Sequence, residues 1–295
     1  MPRQPEILFL IGDSEKARND NHICLPAAFR GLGWQVHIAA HESVRISANS
    51  IALPDVEPDQ CDLIWLLGFG RATTFFDRMQ LLRQLEQSRF VTTVDALMYL
   101  HGKHRWLQHM PETHTSADLQ HLLGVIRQGG EWVIKPPAGS YGRDIRLVRN
   151  ESEARTALHE YFRETDDGYC MIQRFLPQIA EGEKRTIIAA GRIIGSYLRV
   201  PSDELLANVN AQAAVSATSL TSAESDLVNA IARDLTELGA GFATIDTVYP
   251  HLIEVNVANP GGLATLSALL DRDCAAATAE ALIDGLSAAS GPTGH

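Results

Sequence analysis

Over the first hundred residues, short apolar runs alternate with segments whose apolar residues recur at helical spacing. The order is EILFLIG, LPAAFRGLG, WQVHIAA, DLIWLLG, FFDRMQLLRQLEQ and RFVTTV, in which the second and fifth read as helices and the others as strands. Strands that alternate with helices read as βαβ units, so residues 1–100 predict a doubly wound α/β domain with a parallel sheet.

The alternation stops near residue 101. Helices at GKHRWLQHM and SADLQHLLGVIRQGG lead into the strands EWVIK and IRLV, the helix ESEARTALHEYFRE and the strand YCMIQRF. Two strands, KRTIIAAG and RIIGSYLRV, meet at Gly191. The helix SAESDLVNAIARDLTELG follows, then a hairpin of GFATIDTV and HLIEVNV around Tyr249 and Pro250, then the helix CAAATAEALIDGL. Such uneven runs predict α+β packing, in a central unit of residues 101–175 and a C-terminal unit of residues 176–290. The stretch LLANVNAQAAVSATSLTS has no period and reads as a loop, a candidate lid.

Charge and composition narrow the partners. A formal net charge of -11 repels phosphodiester backbones and no basic patch offsets it, so nucleic acid is not an expected partner. No apolar stretch approaches the roughly 20 residues that cross a bilayer. MPRQPEILFLIG has no cleavage region, and together these predict a cytoplasmic protein with no membrane partner. Cys24, Cys61, Cys170 and Cys274 form no CxxC pair and read as reduced core thiols. His101, His104, His109, His114 and His121 share no ligand face and read as solvated, and neither GxSxG nor HExxH occurs.

Three stretches carry charge in patterns suited to chemistry. In VIKPPAGSYGRDIRLV, Lys135 precedes the glycines, whereas in a P-loop the lysine follows them and opens a helix. Taken alone, the stretch reads either as a β-turn with a surface lysine or as an anion cradle, with amides around Gly139, Ser140 and Gly142 converging beside the Lys135 charge. In ATIDTVYPHLIEVNVANPGG, a turn near Pro250 sets Asp246 across from Glu254 and puts Asn256 on the same face. Opposed carboxylates repel, and a divalent cation removes that cost; hard oxygen donors suit Mg2+, the other reading being a solvated hairpin. In EGEKRTIIAAGRIIGSYLRV, alternation puts Glu183 and Arg185 on one face, with Arg199 near the end of the next strand; each arginine alone reads either as a surface charge or, beside a metal-nucleotide site, as a clamp for an acyl phosphate or carboxylate. Anion loop and cation site together point to a nucleotide.

The succession VIKP, GSYG, MIQRFLP, GEKR, YLRVP, TID and IEVNVANP resembles the ATP-grasp superfamily, and more narrowly the prokaryotic glutathione synthetases, over most of residues 100–288. The resemblance implies an ATP-grasp fold of α/β and α+β parts behind an N-terminal α/β domain. It implies an ATP-dependent ligase that joins a carboxylate to an amine through an acyl phosphate, with a small amino acid or dipeptide as substrate. Lys103 and Lys135 are then expected on ATP phosphates, under a loop of Gly139, Ser140, Tyr141 and Gly142. Gln173, Arg174, Phe175 and Leu176 are expected to line the adenine pocket largely through backbone groups, with Glu183 beside the nucleotide. Asp246, Glu254 and Asn256 are expected to hold Mg2+, with Mn2+ as an alternative. Arg185, Arg199 and Asn208 are expected at the transferring phosphoryl group, and Arg71, Asn259, Gly261 and Gly262 at the substrates. A homo-oligomer, dimer or tetramer, completes the expectation. GFGRATTFFDRM departs from the DPPFD-like segment of glutathione synthetases, so the substrates are less closely specified than the use of ATP. A nucleotide-binding regulator on the same fold and a phosphotransferase are the competing readings.

Overall fold

The computed structural model describes residues 3–12, 19–138, 145–201 and 213–289. Its first block runs β1 (Glu6–Ile11), α1 (Asn21–Gly31), β2 (Gln35–Ala40), β3 (Arg45–Ser47), β4 (Ser50–Ala52), β5 (Leu63–Leu67), α2 (Phe75–Leu82) and α3 (Val94–Tyr99). The strand β1 is the centre of a parallel sheet of order β2-β1-β5. Alternation sorts its side chains onto two apolar faces: Ile7 and Phe9 pack with Leu25 and Phe29 of α1, while Leu8 and Leu10 pack with Met79 and Leu82 of α2. Crossover helices cover both faces, as a parallel sheet requires.

Two expected elements are shorter than their patterns. The helix FFDRMQLLRQLEQ ends at Leu82, where the Gln87 amide donates to the carbonyls of Leu82 and Leu85 at 3.0 and 2.9 Å and closes the helix from outside. RFVTTV forms only isolated bridges, Phe90 to Ile64 and Thr92 to Ala240. The Val91 N–H donates to Ile64 O at 3.0 Å and its carbonyl accepts from Gly241 N–H at 2.7 Å, so the segment ties two sheets together instead of extending one.

The second block runs β6 (Thr113–Ser116), α4 (Leu119–Ile126), β7 (Trp132–Lys135), β8 (Arg146–Val148), α5 (Glu151–Glu164) and β9 (Cys170–Arg174), in an antiparallel sheet of order β6-β9-β7-β8. The side chains of Asp118 and Asn150 accept from first-turn amides and start α4 and α5. Those helices cover the face bearing Trp132, Ile134 and Ile172, which leaves Lys135 and Gln173 on the other. The expected helix at GKHRWLQHM is a 3-10 segment, Lys103–His109, broken at the buried Trp106 (φ -111, ψ 16).

The third block runs β10 (Glu183–Ala189), β11 (Arg192–Val200), β12 (Ala214–Ala217), α6 (Ser222–Glu237), β13 (Phe242–Val248), β14 (His251–Asn256), α7 (Leu263–Leu270) and α8 (Cys274–Ala289). The sheet order is β12-β11-β10-β13-β14. The edge strand β12, antiparallel to β11, lies inside the stretch expected as a loop; its exposed small residues give no strand pattern, and the pairing with β11 sets it. The helix α6, started by a capping box at Thr221 and Glu224, packs Val228, Ile231 and Leu235 on the face bearing Ile188 and Ile245. On the opposite face Phe242 and Ile187 join the core of the first block, where the Trp65 and Phe242 rings meet edge to face at 5.2 Å. Farther along that same face the side chains become charged. Among the described residues no helix is long and apolar enough to cross a membrane.

Candidate functional site

Register brings distant residues into one row. Tyr197 of β11 pairs with Arg185 of β10, Arg185 with Asp246 of β13, and Asp246 with Glu254 of β14. One step along, Glu183 pairs with Arg199, and on the other side Thr244 pairs with Asn256. The Arg185 guanidinium grips Asp246 with both prongs, Nε to Oδ1 at 2.8 Å and Nη2 to Oδ2 at 2.6 Å. Arg199 Nη2 reaches the same Oδ2 at 2.9 Å and also binds Glu183 Oε1. Lys103 Nζ takes Glu254 Oε1 at 2.9 Å. Asp246, Glu183, Arg199 and Lys103 are all buried.

The electrostatics follow from this pairing. Burial works to raise the Asp246 carboxyl, but Arg185 and Arg199 more than offset it and hold it below its ordinary value. The same contest leaves Glu254 lowered, with Lys103 as its main opposing charge. Glu183, buried beside Asp246 and only partly compensated by Arg199, is raised. Arg185 is held in its charged form by Asp246 against the burial that opposes it.

The opposite wall is the open face of the central sheet. Lys135 Nζ donates to Gln173 Oε1 at 2.8 Å, and Gln173 Nε2 donates to Thr113 Oγ1 at 2.9 Å. Burial, reinforced by the Lys103 charge, lowers the Lys135 ammonium from the ordinary lysine value to about 7. The Lys103 N–H donates to Pro137 O at 3.1 Å, which ties the lysine-bearing segment to the chain that follows β7. Arg174 places its side chain elsewhere, over the Trp132 ring at 4.0 Å and on Glu112. Its N–H donates to Glu112 O, and the Phe175 N–H to Glu131 O. Leu176 opens the short turn Pro177–Glu181 that leads to β10. Gly139, Ser140, Tyr141, Gly142 and Asn208 lie outside the described residues.

The loop after β14 closes a third side. Arg185 Nη1 donates to Gly261 O at 3.2 Å, and Gly262, at φ +121, leaves no room for a side chain because one would meet the Tyr197 hydroxyl. Gly68 follows β5 and its N–H donates to Ala258 O at 3.1 Å, so the first block abuts Asn259. Phe69 meets His101 edge to face with ring centroids 4.6 Å apart, so His101 is packed and burial lowers its imidazole, contrary to the solvated reading. Arg71 sits two residues beyond Phe69 with its N–H fixed on Glu42 at 2.7 Å, and among the described residues no acceptor holds its exposed guanidinium.

Lys103, Glu183, Arg185, Arg199, Asp246 and Glu254 therefore meet in one buried network, with Lys135 and Gln173 on the neighbouring sheet. Among the described residues no three His, Cys, Asp or Glu side chains gather as a metal-ligand group, so a cation on Asp246 and Glu254 would draw its third protein donor from Asn256. No described residue hydrogen-bonds to that amide. Sequence reasoning missed Tyr197, which the two-residue spacing from Arg199 could have found, and Asn19 and Asn21, which no pattern marks.

The sequence and structure match known proteins. Residues 102–271 match the family model described as prokaryotic glutathione synthetase, ATP-grasp domain. The glutathione synthetase of Parasynechococcus marenigrum (strain WH8102) is 31% identical over 182 residues, covering 61% of this chain and 59% of that protein. That of Rhodopseudomonas palustris (strain ATCC BAA-98 / CGA009) is 32% identical over 168 residues, covering 57% and 54%. These matches thus span little more than half the relatives' own length. The D-cycloserine synthetase DcsG superposes with a TM-score of 0.70 at 16% identity, over 95% of this chain and 99% of that one. The ATP-grasp ligase PsnB complexed with minimal precursor gives 0.70 at 13% identity, over 96% and 99%, and such likeness assigns the ATP-grasp fold.

Proposed function

The chain belongs to the prokaryotic glutathione synthetase ATP-grasp domain family, and from that premise we propose that it is an ATP-dependent ligase joining a small carboxylate to an amine. The observation that carries the reading is the buried network itself, in which Lys103, Arg185 and Arg199 meet Glu183, Asp246 and Glu254, while Lys135 on the neighbouring sheet donates to the Gln173 amide and, among the described residues, to no carboxylate. A phosphate would favour the charged form of that lysine and give it the anionic partner it lacks, and a nucleotide phosphate is the anion that this family handles.

In this reading Lys103 and Lys135 hold the ATP phosphates, with the loop of Gly139 to Gly142, and Gln173 to Leu176 together with Glu183 border the base and ribose. Asp246, Glu254 and Asn256 form an all-oxygen donor set that fits Mg2+ or Mn2+, since the register already opposes the two carboxylates and leaves the Asn256 amide unclaimed. A bound divalent cation would supply charge neutralisation on the transferring phosphoryl group. The substrate carboxylate attacks the γ-phosphorus, an O–P bond forms as the bond to ADP breaks, and the amine then attacks the acyl carbon and releases phosphate. Arg185 and Arg199, with Asn208, face the charge that develops on the phosphoryl and acyl groups, so positioning and preorganised charge supply the acceleration. Arg71, Asn259, Gly261 and Gly262 border the substrates; a free guanidinium on a fixed backbone suits a carboxylate, which favours a small amino acid or dipeptide.

The test is ADP release across a panel of amino acids and dipeptides with Mg2+ and Mn2+ in turn. Turnover that requires both a carboxylate and an amine is expected. Nucleotide binding without turnover would assign a regulator instead, and a phosphorylated product that persists without amine would assign a phosphotransferase.

A further inference from the structure

Four consecutive carbonyls after β14 are each held by a donor from another part of the chain. Gly68 N–H holds Ala258 O at 3.1 Å, Asn19 Nδ2 holds Asn259 O at 3.0 Å, Asn21 Nδ2 holds Pro260 O at 2.9 Å, and Arg185 Nη1 holds Gly261 O at 3.2 Å. Asn21 also donates to Asn259 Oδ1 at 2.7 Å. Three of the four carbonyl donors belong to the first block, and the fourth is the arginine that grips Asp246.

Asn21 is the least expected of these groups. It is 0% exposed, at the first residue of α1, and its Nδ2 makes both of its donations while its Oδ1 has no partner among the described residues, so the two donations must offset the cost of burying the amide. It does not act as a helix cap, because α1 is preceded by Asp20, which makes no side-chain cap either. What suits an amide there is the convergence of two oxygens that can only accept in this arrangement, the Pro260 carbonyl and the Asn259 amide oxygen. The loop it holds has little stiffness of its own, since Gly261 and Gly262 adjoin and Gly262 sits at φ +121.

We propose that Asn21, supported by Asn19, is a positioning residue through which the first block sets the 258–262 loop against Arg185. The inference rests on the reading of Asn259, Gly261 and Gly262 as substrate residues. Asn21 touches neither nucleotide nor the reacting atoms. It fixes the loop backbone, so the substrate is held only while the first block and the antiparallel sheet are in register.

The test uses the full chain with Asn21→Leu and Asn21→Asp, which keep the volume and remove the donors, and Asn19→Ala as a milder variant should both fail to fold. Backbone amide hydrogen exchange at Gly68, whose N–H is held on Ala258 O, and at Leu266, whose N–H is held on Gly262 O, is expected to quicken about tenfold, while amides of β10 and β13 keep their protection. With the carboxylate–amine pair found for the parent, kcat/KM is expected to fall about 10- to 100-fold, as misplacement of a binding loop does, with nucleotide affinity within about twofold of the parent. Unchanged exchange at Gly68 and Leu266 in a folded variant overturns the clamp. Quickened exchange with full kcat/KM overturns its role in the reaction. A parent that turns over no pair would defeat the ligase reading, and the exchange measurement would still decide the clamp.

Discussion

The parallel sheet of the first block and the antiparallel sheet of residues 183–256 both bury their central strands, yet they are filled differently. In the first, Phe9 stacks on Trp65 at 5.6 Å and meets Phe29 edge on at 5.8 Å, and both faces are hydrocarbon. In the second, the face under α6 is mostly apolar and holds its polar groups in closed pairs such as Thr186 with Ser196, and the other passes from Phe242 and Ile187 to Asp246, Arg185 and Glu183 within the same strands. Apolar burial stabilises by roughly 25 cal/mol per Å² whatever the partner. Buried ions, by contrast, stabilise only through specific partners and often less than a hydrocarbon would. The charged row is therefore poor material for a core and suitable material for a site.

Removing one member of the row should give the largest effect. Asp246→Ala leaves Arg185 and Arg199 buried together, which is expected to cost about 3–5 kcal/mol in urea unfolding and to abolish turnover. The double variant Arg185→Met with Asp246→Leu, which swaps charge for hydrocarbon, should regain most of that stability and none of the turnover. A double variant no more stable than Asp246→Ala would mean that the row holds the fold together, and the contrast between the sheets would fall.

Phe9→Ala tests the other side. Its cavity, lined by Trp65 and Phe29, is expected to cost about 3–5 kcal/mol as well, but kcat of the folded fraction should stay within about twofold of the parent. A large loss of kcat at preserved fold would show that the parallel sheet positions chemistry more directly than its hydrocarbon filling implies.

Lys135 stands between the two kinds of burial, a charge on a sheet face with an amide as its hydrogen-bond partner. With its folded value at about 7, the unfolded chain binds a proton that the folded chain lacks from there up to about pH 10.4. Folding stability should therefore rise with pH across that window, and Lys135→Met should flatten the rise in urea melts at pH 7 and pH 9. A phosphate favours the charged form, so nucleotide binding at pH 8 should take up a proton, seen by calorimetry in buffers of different ionisation enthalpy. Equal slopes in parent and variant would show that Lys135 does not titrate in this range.

How much of this was legible follows from where each signal lay. The pairing of Asp246 with Glu254 could be read from a turn near Pro250, but the turn sets Val248 on His251 and Thr247 on Leu252, and a bulge between Asp246 and Thr247 is what brings Glu254 opposite Asp246. The alignment of Arg185 with Asp246 could not, since it depends on β10 pairing with β13 across α6 and two intervening strands. Lys103 reads as part of a helix at GKHRWLQHM, a local pattern that says nothing of a contact with Glu254 spanning 151 residues. RFVTTV has strand composition but divides its hydrogen bonds between Ile64 and Gly241, which composition does not encode. Asn21 illustrates the limit, because a polar residue at the start of an apolar helix looks like a cap until the loop beyond β14 is placed against it.

The smallest effect separates polar groups that serve the fold from those that serve the site. Thr186 and Ser196 pair across β10 and β11, their hydroxyls 2.9 Å apart and buried, on the face that α6 covers. Thr186→Val should cost about 1–2 kcal/mol by leaving Ser196 without its partner, and adding Ser196→Ala should recover most of it, since removing both polar groups is close to neutral. Nucleotide affinity should not move in either variant. The two hydroxyls are one side chain away from Arg185 along β10 and point to the opposite face, so a change in affinity would mean that the two faces of this sheet are coupled and that the charged row cannot be treated apart from the core beneath it.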